Sequence, residues 1–335
     1  MNIAYLIIAY HQEHHLADMI RLLADEHAFF FIHIDKKSDI EPFRKAIRSP
    51  QCFFIEKRVT INWGGWSMVE ATLNLIRAAL DHDAQFKYYQ LLSDSCFPIK
   101  SRTHIYNRLL NSNANFITIN EEVNRRSIYF DWISEYHYHD VFDRKDSGMI
   151  KFFRGIRAYI RKALQKNPCG EVKTSDGARY RPPAGDRIRH LITFVRENGA
   201  VLVNKKFKGK PHEDIKPYKG WQWWCLTDDC IKHIMSFIKE NPRFVWFYKV
   251  THIPDEMFFH TIIRSSTFSD SIVPGMGHGI ITGNHYIPWE GGIPVILDEN
   301  HYQELIACDS CFARKFCEVR SALLIKRLKE TFDGI

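Results

Sequence analysis

The feature that most constrains the fold of this chain is a regular alternation of short apolar runs with amphipathic helical patterns. "NIAYLIIAYH" predicts a buried strand, "LADMIRLLADE" an amphipathic helix and "FFFIHID" a second strand. The strand patterns "QCFFIEK" and "KYYQLLSD" then flank the strongly periodic helix pattern "SMVEATLNLIRAALDHD". Strands that alternate with helices favour a parallel sheet with helices on both faces. We therefore predict an α/β fold built on a Rossmann-like nucleotide-binding sheet.

A basic stretch, residues 121–217, interrupts this pattern. A helix from Ile105 and the strand "ANFITIN" precede it, and the strand "KGWQWWCLT" and a helix capped by Thr227 or Asp228 follow it. We predict one domain, residues 1–335, in which residues 121–217 form a basic insertion beside the sheet or a flap over a site. Their charge suits a solvated surface, an acidic or phosphorylated ligand, or a membrane surface.

The formal net charge of +7 indicates a surface that attracts phosphates or anionic lipid. Nucleic acid is not a predicted partner, because the positive charge is spread over the insertion and the termini and no nucleic-acid-binding motif occurs. No window approaches the ~18 apolar residues that span a bilayer, and "MNIAYLIIAY" has no basic flank or cleavage site. We therefore predict a cytoplasmic protein whose eight cysteines are thiols.

Polar residues follow three of the predicted strands, in "AYHQE", "HIDKKS" and "LLSDSCFPIK". In open α/β sheets, ligands bind outside the carboxyl ends of the strands. Asp35 could accept hydrogen bonds from a base or a ribose there, with Lys36 and Lys37 near phosphates. The absence of GxGxxG and of GxxxxGK[ST] disfavours dinucleotide-binding and P-loop proteins.

The carboxylates near these strand ends do not favour a metal site. Transferases with such a sheet commonly hold a divalent cation with a DxD motif, but "DHD", Asp81 to Asp83, ends a helix, and "LLSDSCF" supplies only Asp94. One carboxylate is too few oxygen ligands for a hard cation. "CDSC" at Cys308 and Cys311 lacks the second cysteine pair of a zinc site. Without a metal, cations must neutralise a departing diphosphate, and Arg314 and Lys315 of "FARKF" have that chemistry.

Six segments, in this order, resemble the core-2/I-branching glycosyltransferase family, which includes the peptide xylosyltransferases: "HIDKKS", "INWGGWSMVEATLNLI", "YYQLLSDSCFPIKS", "KGWQWWCLT", "HIPDEMFF" and "CFARKF". The resemblance covers most of the chain apart from residues 121–217. It implies a GT-A type fold, a UDP-sugar donor, and transfer with inversion and without a required metal. Residues 1–120 would then form the nucleotide-sugar-binding half, and residues 218–335 the catalytic and acceptor half. The missing anchor and signal suggest a bacterial relative.

The resemblance also implies roles for single residues. The family's catalytic base is the Glu of its "PDE" motif, which falls on Glu256. Its uridine and diphosphate contacts fall on Tyr10, His11, Asp35, Lys37, Trp63 and Lys315. Its aromatic acceptor platform points to Tyr286 and Trp289 in "NHYIPWEGG". We add Asp94 and Asp255 as substrate-binding residues, and Arg314 as a substitute for an additional family arginine that has no counterpart here.

One further departure and two alternatives accompany this prediction. Cys96 in "CFP" stands where core-2 enzymes carry an Asp. "PDE" also predicts the start of a helix, with a proline at its first position and acidic residues in its first turn, where Asp255 could cap or orient. Adjacent helix residues point about 100° apart, so Asp255 and Glu256 should not face one substrate hydroxyl. The favoured donors are UDP-N-acetylglucosamine and UDP-xylose, and the predicted acceptor is a bacterial surface glycan or its lipid-linked precursor at the inner membrane face. The alternatives are a metal-dependent transferase that uses Asp94, and a carbohydrate- or nucleotide-binding protein without turnover.

Overall fold

A computed structural model of the protein describes residues 1–134, 137, 139, 140, 172, 173, 179, 180, 214–273 and 281–332. The strands are β1 (Asn2–Ala9), β2 (Ala28–Ile34), β3 (Cys52–Phe54), β4 (Phe86–Ser93), β5 (Phe97–Pro98), β6 (Asn115–Glu122), β7 (Val172–Lys173), β8 (Arg179–Tyr180), β9 (Tyr218–Thr227), β10 (Ile272–Val273), β11 (Ile281–Thr282), β12 (His285–Tyr286), β13 (Trp289–Glu290), β14 (Ile293–Pro294) and β15 (Phe312–Ala313). The helices are α1 (Glu13–Leu23), α2 (Glu41–Ala46), α3 (Trp66–Leu80), α4 (Arg102–Leu110), α5 (Phe130–Ser134), α6 (Asp228–Glu240), α7 (Pro242–Tyr248), α8 (Phe258–Arg264), α9 (Tyr302–Ala307) and α10 (Ala322–Phe332). Short 3₁₀ turns lie at Pro254–Glu256, Thr267–Ser271 and Glu299–His301.

A seven-stranded sheet with the order β10-β6-β9-β4-β1-β2-β3 forms the centre of the fold. β1 pairs in parallel with β2 and β4, and β2 pairs in parallel with β3, so the predicted α/β sheet is confirmed. The expectation that the sheet is parallel is wrong at β9, which runs antiparallel to both β4 and β6. Apolar periodicity identifies a strand but carries no information about its direction. The direction of β9 depends on how the long stretch between β6 and β9 returns to the sheet, which the pattern of β9 itself does not contain.

β1 lies inside the sheet, between β4 and β2, and is buried from Ile3 to Ala9. A parallel strand that is covered on both faces needs apolar residues at every position, which explains the unbroken run "IAYLIIA". α3 packs across β1 and β2 through its periodic apolar side. The side chain of Thr227 accepts a hydrogen bond from the amide of Cys230 at 3.4 Å, so the predicted cap of α6 is confirmed at Thr227.

A second, smaller sheet joins the C-terminal part of the chain to the end of β4. Its order is β11-β12-β15-β5, and β15 pairs antiparallel with β5. The amide of Phe316 donates to the carbonyl of Ser95 at 2.9 Å. This pairing brings Arg314 and Lys315, which follow β15, to the same edge of the central sheet as the carboxyl ends of β1, β2 and β4.

The predicted halves, residues 1–120 and 218–335, contribute strands to one sheet, because β9 lies between β4 and β6. Most of the predicted basic insertion, residues 121–217, lies outside the described residues, and so does its proposed contact with a membrane. No helix in the described part of the chain is long and apolar enough to cross a membrane. Among the described residues, the seven cysteines are all free thiols, as predicted.

Candidate active site

A cavity of about 660 Å³ opens at the carboxyl ends of β1, β2 and β4. This volume is within the range of small-molecule sites. The opposite wall comes from β9, from the Pro254–Glu256 turn, and from the segments that precede and follow β15. The predicted site residues that line the cavity are Tyr10, Asp35, Lys37, Trp63, Asp94, Glu256, Trp289, Arg314 and Lys315. Three other predicted site residues, His11, Asp255 and Tyr286, are not among its lining residues.

Asp94 follows β4 and holds the turn that leaves β1. Its Oδ2 accepts hydrogen bonds from the amides of Tyr10 at 2.8 Å and His11 at 3.1 Å, and lies 3.0 Å from Nδ1 of His11. Oδ1 accepts from the hydroxyl of Ser95 at 3.3 Å. Asp94 is buried, and its interaction with the imidazole raises the pKa of His11. The two amide hydrogen bonds show that Asp94 positions the backbone of Tyr10 and His11.

The loop after β2 is held around Asp35. The Asp35 carboxylate accepts from the amide of Lys37 at 2.9 Å, and its other oxygen lies 3.7 Å from Nζ of Lys37. Arg58 donates to the carbonyl oxygens of Ile34, Asp35 and Ser38 at 2.8, 2.9 and 2.6 Å. The guanidinium thus fixes the backbone that carries Asp35 to the cavity.

Glu256 reaches the cavity wall beside a buried lysine. Its Oε2 lies 3.4 Å from Nζ of Lys219, and the side chains are 18% and 2% exposed. The Lys219 ammonium also lies 4.0 Å from the centroid of the Trp221 ring and 4.8 Å from that of Tyr129. Burial raises the pKa of Glu256, and the Lys219 charge opposes that rise. A carboxylate with a raised pKa is suited to accept a proton near neutral pH.

The backbone on both sides of this pair is tightly constrained. Ile253 has a φ of 45°, which is unfavourable for a β-branched residue, and its amide donates to the carbonyl of Gly64 at 2.9 Å. This conformation turns the chain into the Pro254–Glu256 segment. On the facing strand, a Cβ at Gly220 would overlap the carbonyl of Thr118 and the ring of His260, so only glycine fits beside Lys219.

Asp255 and Glu256 lie in different environments. The prediction that "PDE" begins an α-helix is wrong in detail, because Pro254–Glu256 forms a single 3₁₀ turn and α8 begins only at Phe258. Glu256 lines the cavity, whereas Asp255 is buried in the protein and caps no helix with its side chain. Burial, followed by the charge of Glu256, raises the pKa of Asp255 to about 8. Asp255 is therefore largely protonated at neutral pH.

Arg314 and Lys315 supply positive charge to the cavity. The Arg314 guanidinium stacks over the Trp223 ring, with its carbon 4.4 Å from the ring centroid. Its Nε is buried and has no hydrogen-bond partner among the described residues. Neither cation forms an ion pair with a carboxylate of a described residue, which leaves both charges available to an anionic ligand.

Aromatic rings form much of the remaining wall. Trp221 and Trp289 pack with their centroids 4.8 Å apart, and the Tyr10 and Trp63 rings are 53% and 55% exposed. Such faces suit a sugar or a base. Tyr286, the second predicted platform residue, is buried, and burial together with a hydrogen bond to Glu304 raises its pKa. Tyr286 is therefore not one of the residues that line the cavity.

Sequence reasoning missed Lys219, Arg58 and Trp221. Lys219 carries a detectable signal, because a lysine within a strand of apolar and aromatic residues needs a counter-charge when it is buried. Trp221 lies two residues further along the same strand and therefore faces the same side. Arg58 has no such signal, since its role depends on carbonyl groups that only the folded loop presents.

Comparison with known proteins adds an independent finding. Residues 3–130 match the Core-2/I-Branching enzyme family. The beta-1,3-galactosyl-O-glycosyl-glycoprotein beta-1,6-N-acetylglucosaminyltransferase 3 of Mus musculus is 28% identical over 112 residues, which are 32% of this chain and 25% of the relative. The beta-1,3-galactosyl-O-glycosyl-glycoprotein beta-1,6-N-acetylglucosaminyltransferase of Bos taurus is 30% identical over 111 residues, which are 32% of this chain and 26% of the relative. The matched part therefore spans about a quarter of the length of these relatives.

Proposed function

Because residues 3–130 match the Core-2/I-Branching enzyme family, we propose that this protein is a glycosyltransferase that moves a sugar, with inversion, from a UDP-sugar to a hydroxyl of a glycan. One observation carries the proposal. The Glu256 carboxylate and the two cations Arg314 and Lys315 face the same cavity at the carboxyl ends of the sheet strands. A base and a diphosphate-binding cation pair in one cavity are the minimum that such a transfer requires.

In the proposed reaction, the acceptor hydroxyl attacks the anomeric carbon as the bond to UDP breaks, through an oxocarbenium-like transition state. Glu256 accepts the hydroxyl proton, and the electrons of the broken bond pass to the diphosphate, whose added charge Arg314 and Lys315 stabilise. The attack is direct and forms no enzyme-bound sugar. It therefore inverts the anomeric configuration.

The donor is proposed to lie with its nucleotide near Tyr10, Asp35 and Trp63. The relatives named above are N-acetylglucosaminyltransferases, which favours UDP-N-acetylglucosamine, and UDP-xylose is the second candidate. Incubation with each UDP-sugar should release UDP and, with a glycan acceptor, form a product of inverted configuration that NMR identifies. Thermal protection by UDP without UDP release from any donor would instead identify a binding protein.

We further propose that transfer needs no divalent metal at the diphosphate. The hydrogen bonds that occupy Asp94 and the nearby cations Arg314 and Lys315 support this. Added Mg²⁺ or Mn²⁺ should leave the turnover rate of the purified protein unchanged. A rate that rises with either cation, and that falls in an Asp94→Asn variant, would favour the metal-dependent alternative.

The acceptor is proposed to be a surface glycan or its lipid-linked precursor, in a cytoplasmic protein at the periphery of the membrane. The basic composition of residues 121–217 supports a contact with anionic lipid. Flotation with anionic vesicles, compared with neutral vesicles, measures this contact.

Replacing Lys315 with Ala should weaken binding of UDP by about 10- to 100-fold, because a hydrogen bond to a charged group contributes about 1.5–3 kcal/mol. Isothermal titration calorimetry with UDP measures the effect. Lys326→Ala removes an exposed lysine of α10 that pairs only loosely with Glu330, at 3.8 Å, and serves as the control. Equal UDP affinities for both variants would remove Lys315 from the donor site.

Replacing Lys219 with Met should move the acidic limb of the pH–rate profile to higher pH. Lys219 lowers the pKa of Glu256, so its removal raises that pKa and leaves less deprotonated base at neutral pH. The matched control is Lys232→Met, which breaks an exposed ion pair with Asp228 on α6. Profiles of kcat/KM against pH that coincide for the wild type and the Lys219 variant would show that Lys219 does not tune the base.

A further inference from the structure

Three histidines form a cluster outside the cavity. His137, His139 and His252 are half-buried, and one nitrogen from each lies within 4.8 Å of the other two. Among the described residues, these three histidines are the group of metal-ligand side chains whose ligand atoms lie this close together. None of the three lines the cavity described above. We propose that these histidines bind a zinc ion that fastens the loops behind the active site.

The spacing of the nitrogens suits a tetrahedral ion after small ring rotations. Nε2 of His139 lies 2.8 Å from Nδ1 of His252, and the His137 and His252 ring centroids are 5.1 Å apart. Zinc binds imidazole nitrogen at about 2.0–2.1 Å, which places two ligands about 3.4 Å from each other. The nitrogens of His139 and His252, which are 2.8 Å apart, must therefore move slightly apart. Nitrogens that lie as much as 4.8 Å apart must move closer together. The proton shared by His139 and His252 moves to the far nitrogen of the donor ring or to solvent.

The hydrogen bond of His137 resembles the one that a zinc-binding histidine makes with the ring nitrogen that does not bind the metal. Its Nε2 lies 3.1 Å from the carbonyl oxygen of Asp131, which can only accept, so Nε2 carries the proton. The lone pair of the neutral ring is then on Nδ1. Histidines that bind zinc commonly donate their second nitrogen to a carbonyl group in this way, and the bond orients the ring.

The backbone already holds the three ligands in place. The amide of His137 donates to the carbonyl of Val250 at 2.9 Å, and the amide of His252 donates to the carbonyl of Trp132 at 3.1 Å. Asp140, next to His139, accepts from the amide and the hydroxyl of Ser67 at 2.9 and 2.5 Å. These hydrogen bonds hold the backbone of the three ligands, so little ordering is left for an ion to impose.

The position of the cluster indicates a structural role for the ion. His252 precedes the Pro254–Glu256 turn, and its ring meets the Trp63 ring edge-on with centroids 5.9 Å apart. Trp63 and Glu256 both line the cavity. An ion bound by His137, His139 and His252 would link the loop that carries Trp63 to the turn that carries Glu256. Three imidazoles favour zinc among abundant cations, whereas magnesium and calcium prefer oxygen ligands.

The test is direct metal binding by the full-length protein, so it does not depend on the proposed transferase activity. Protein stripped with EDTA and then dialysed against ZnCl₂ should retain one equivalent by mass spectrometry of the metal. CoCl₂ should give the visible absorption typical of tetrahedral Co²⁺. Loss of an outer partner weakens metal binding about 10- to 100-fold. Loss of a ligand in His252→Ala should therefore weaken it about 100-fold or more, measured by competition with a chromophoric chelator.

The chain contains 17 histidines, so a control for non-specific binding is needed. His14→Ala removes an exposed histidine of α1 and should retain the wild-type affinity. His137→Asn keeps a polar group at the cluster and tests the site if His252→Ala unfolds. Absence of a tightly bound equivalent in folded wild-type protein would overturn the proposal. So would a zinc affinity in the His137 variant equal to that of the His14 variant.

Discussion

Glu256→Gln should lower the rate of sugar transfer by about 10²- to 10⁴-fold, the usual contribution of a general base. The amide cannot accept the proton of the acceptor hydroxyl. It can still accept a hydrogen bond from Lys219, which lies 3.4 Å from Oε2 in the wild type. The cavity should therefore keep its shape, and the affinity for UDP should stay at the wild-type value.

Two measurements separate a base from a donor-binding residue. Turnover with saturating donor reports the chemical step, and calorimetry with UDP reports binding. Glu26→Gln is the control, because the Glu26 side chain is 86% exposed in the loop between α1 and β2. A Glu256→Gln protein that transfers sugar normally but binds UDP weakly would place this carboxylate in the donor site and refute its assignment as the base.

Asp255→Asn should stabilise the folded protein at alkaline pH by several kcal/mol relative to the wild type. The pKa of Asp255 is about 8, against an ordinary value of 3.8, because the side chain is buried beside Glu256. A carboxyl whose pKa is raised by folding stabilises the protein fully below its unfolded pKa. That contribution is lost as the pH rises toward the folded pKa. Each tenfold change in proton affinity is worth about 1.4 kcal/mol.

The difference between the two proteins should thus be small near pH 4 and grow until about pH 8. Asparagine has nearly the shape of the protonated acid and carries no charge at any of these pH values. Urea unfolding at pH 5, 7 and 9 measures the free energies of unfolding, with Glu26→Gln as the exposed control. A difference that does not change with pH would mean that Asp255 is ionised in the folded state.

Much of the fold could be predicted from short segments. The strands and helices from β1 to β4 were found because a buried parallel strand is apolar at each position, and a helix on its face is apolar every three to four residues. The positions of Asp35 and Asp94 at strand ends followed from the same reasoning. Their separate roles did not, because only the folded chain shows that the Asp94 oxygens accept hydrogen bonds from the turn after β1.

By itself, the sequence determined the α/β class, the strand ends at which the cavity opens, and the ordered motifs that point to a glycosyltransferase. Each of these depends on neighbouring residues and on spacing, which the order of amino acids contains. The tertiary structure alone decided that β9 is antiparallel, that Tyr286 is buried outside the cavity lining, and that Asp255 is buried whereas Glu256 lines the cavity. It also paired Lys219 with Glu256. These features depend on which distant segments come into contact when apolar surface is buried. A charged side chain that becomes buried is stable only beside an opposite charge, and the folded chain determines which residue supplies that charge.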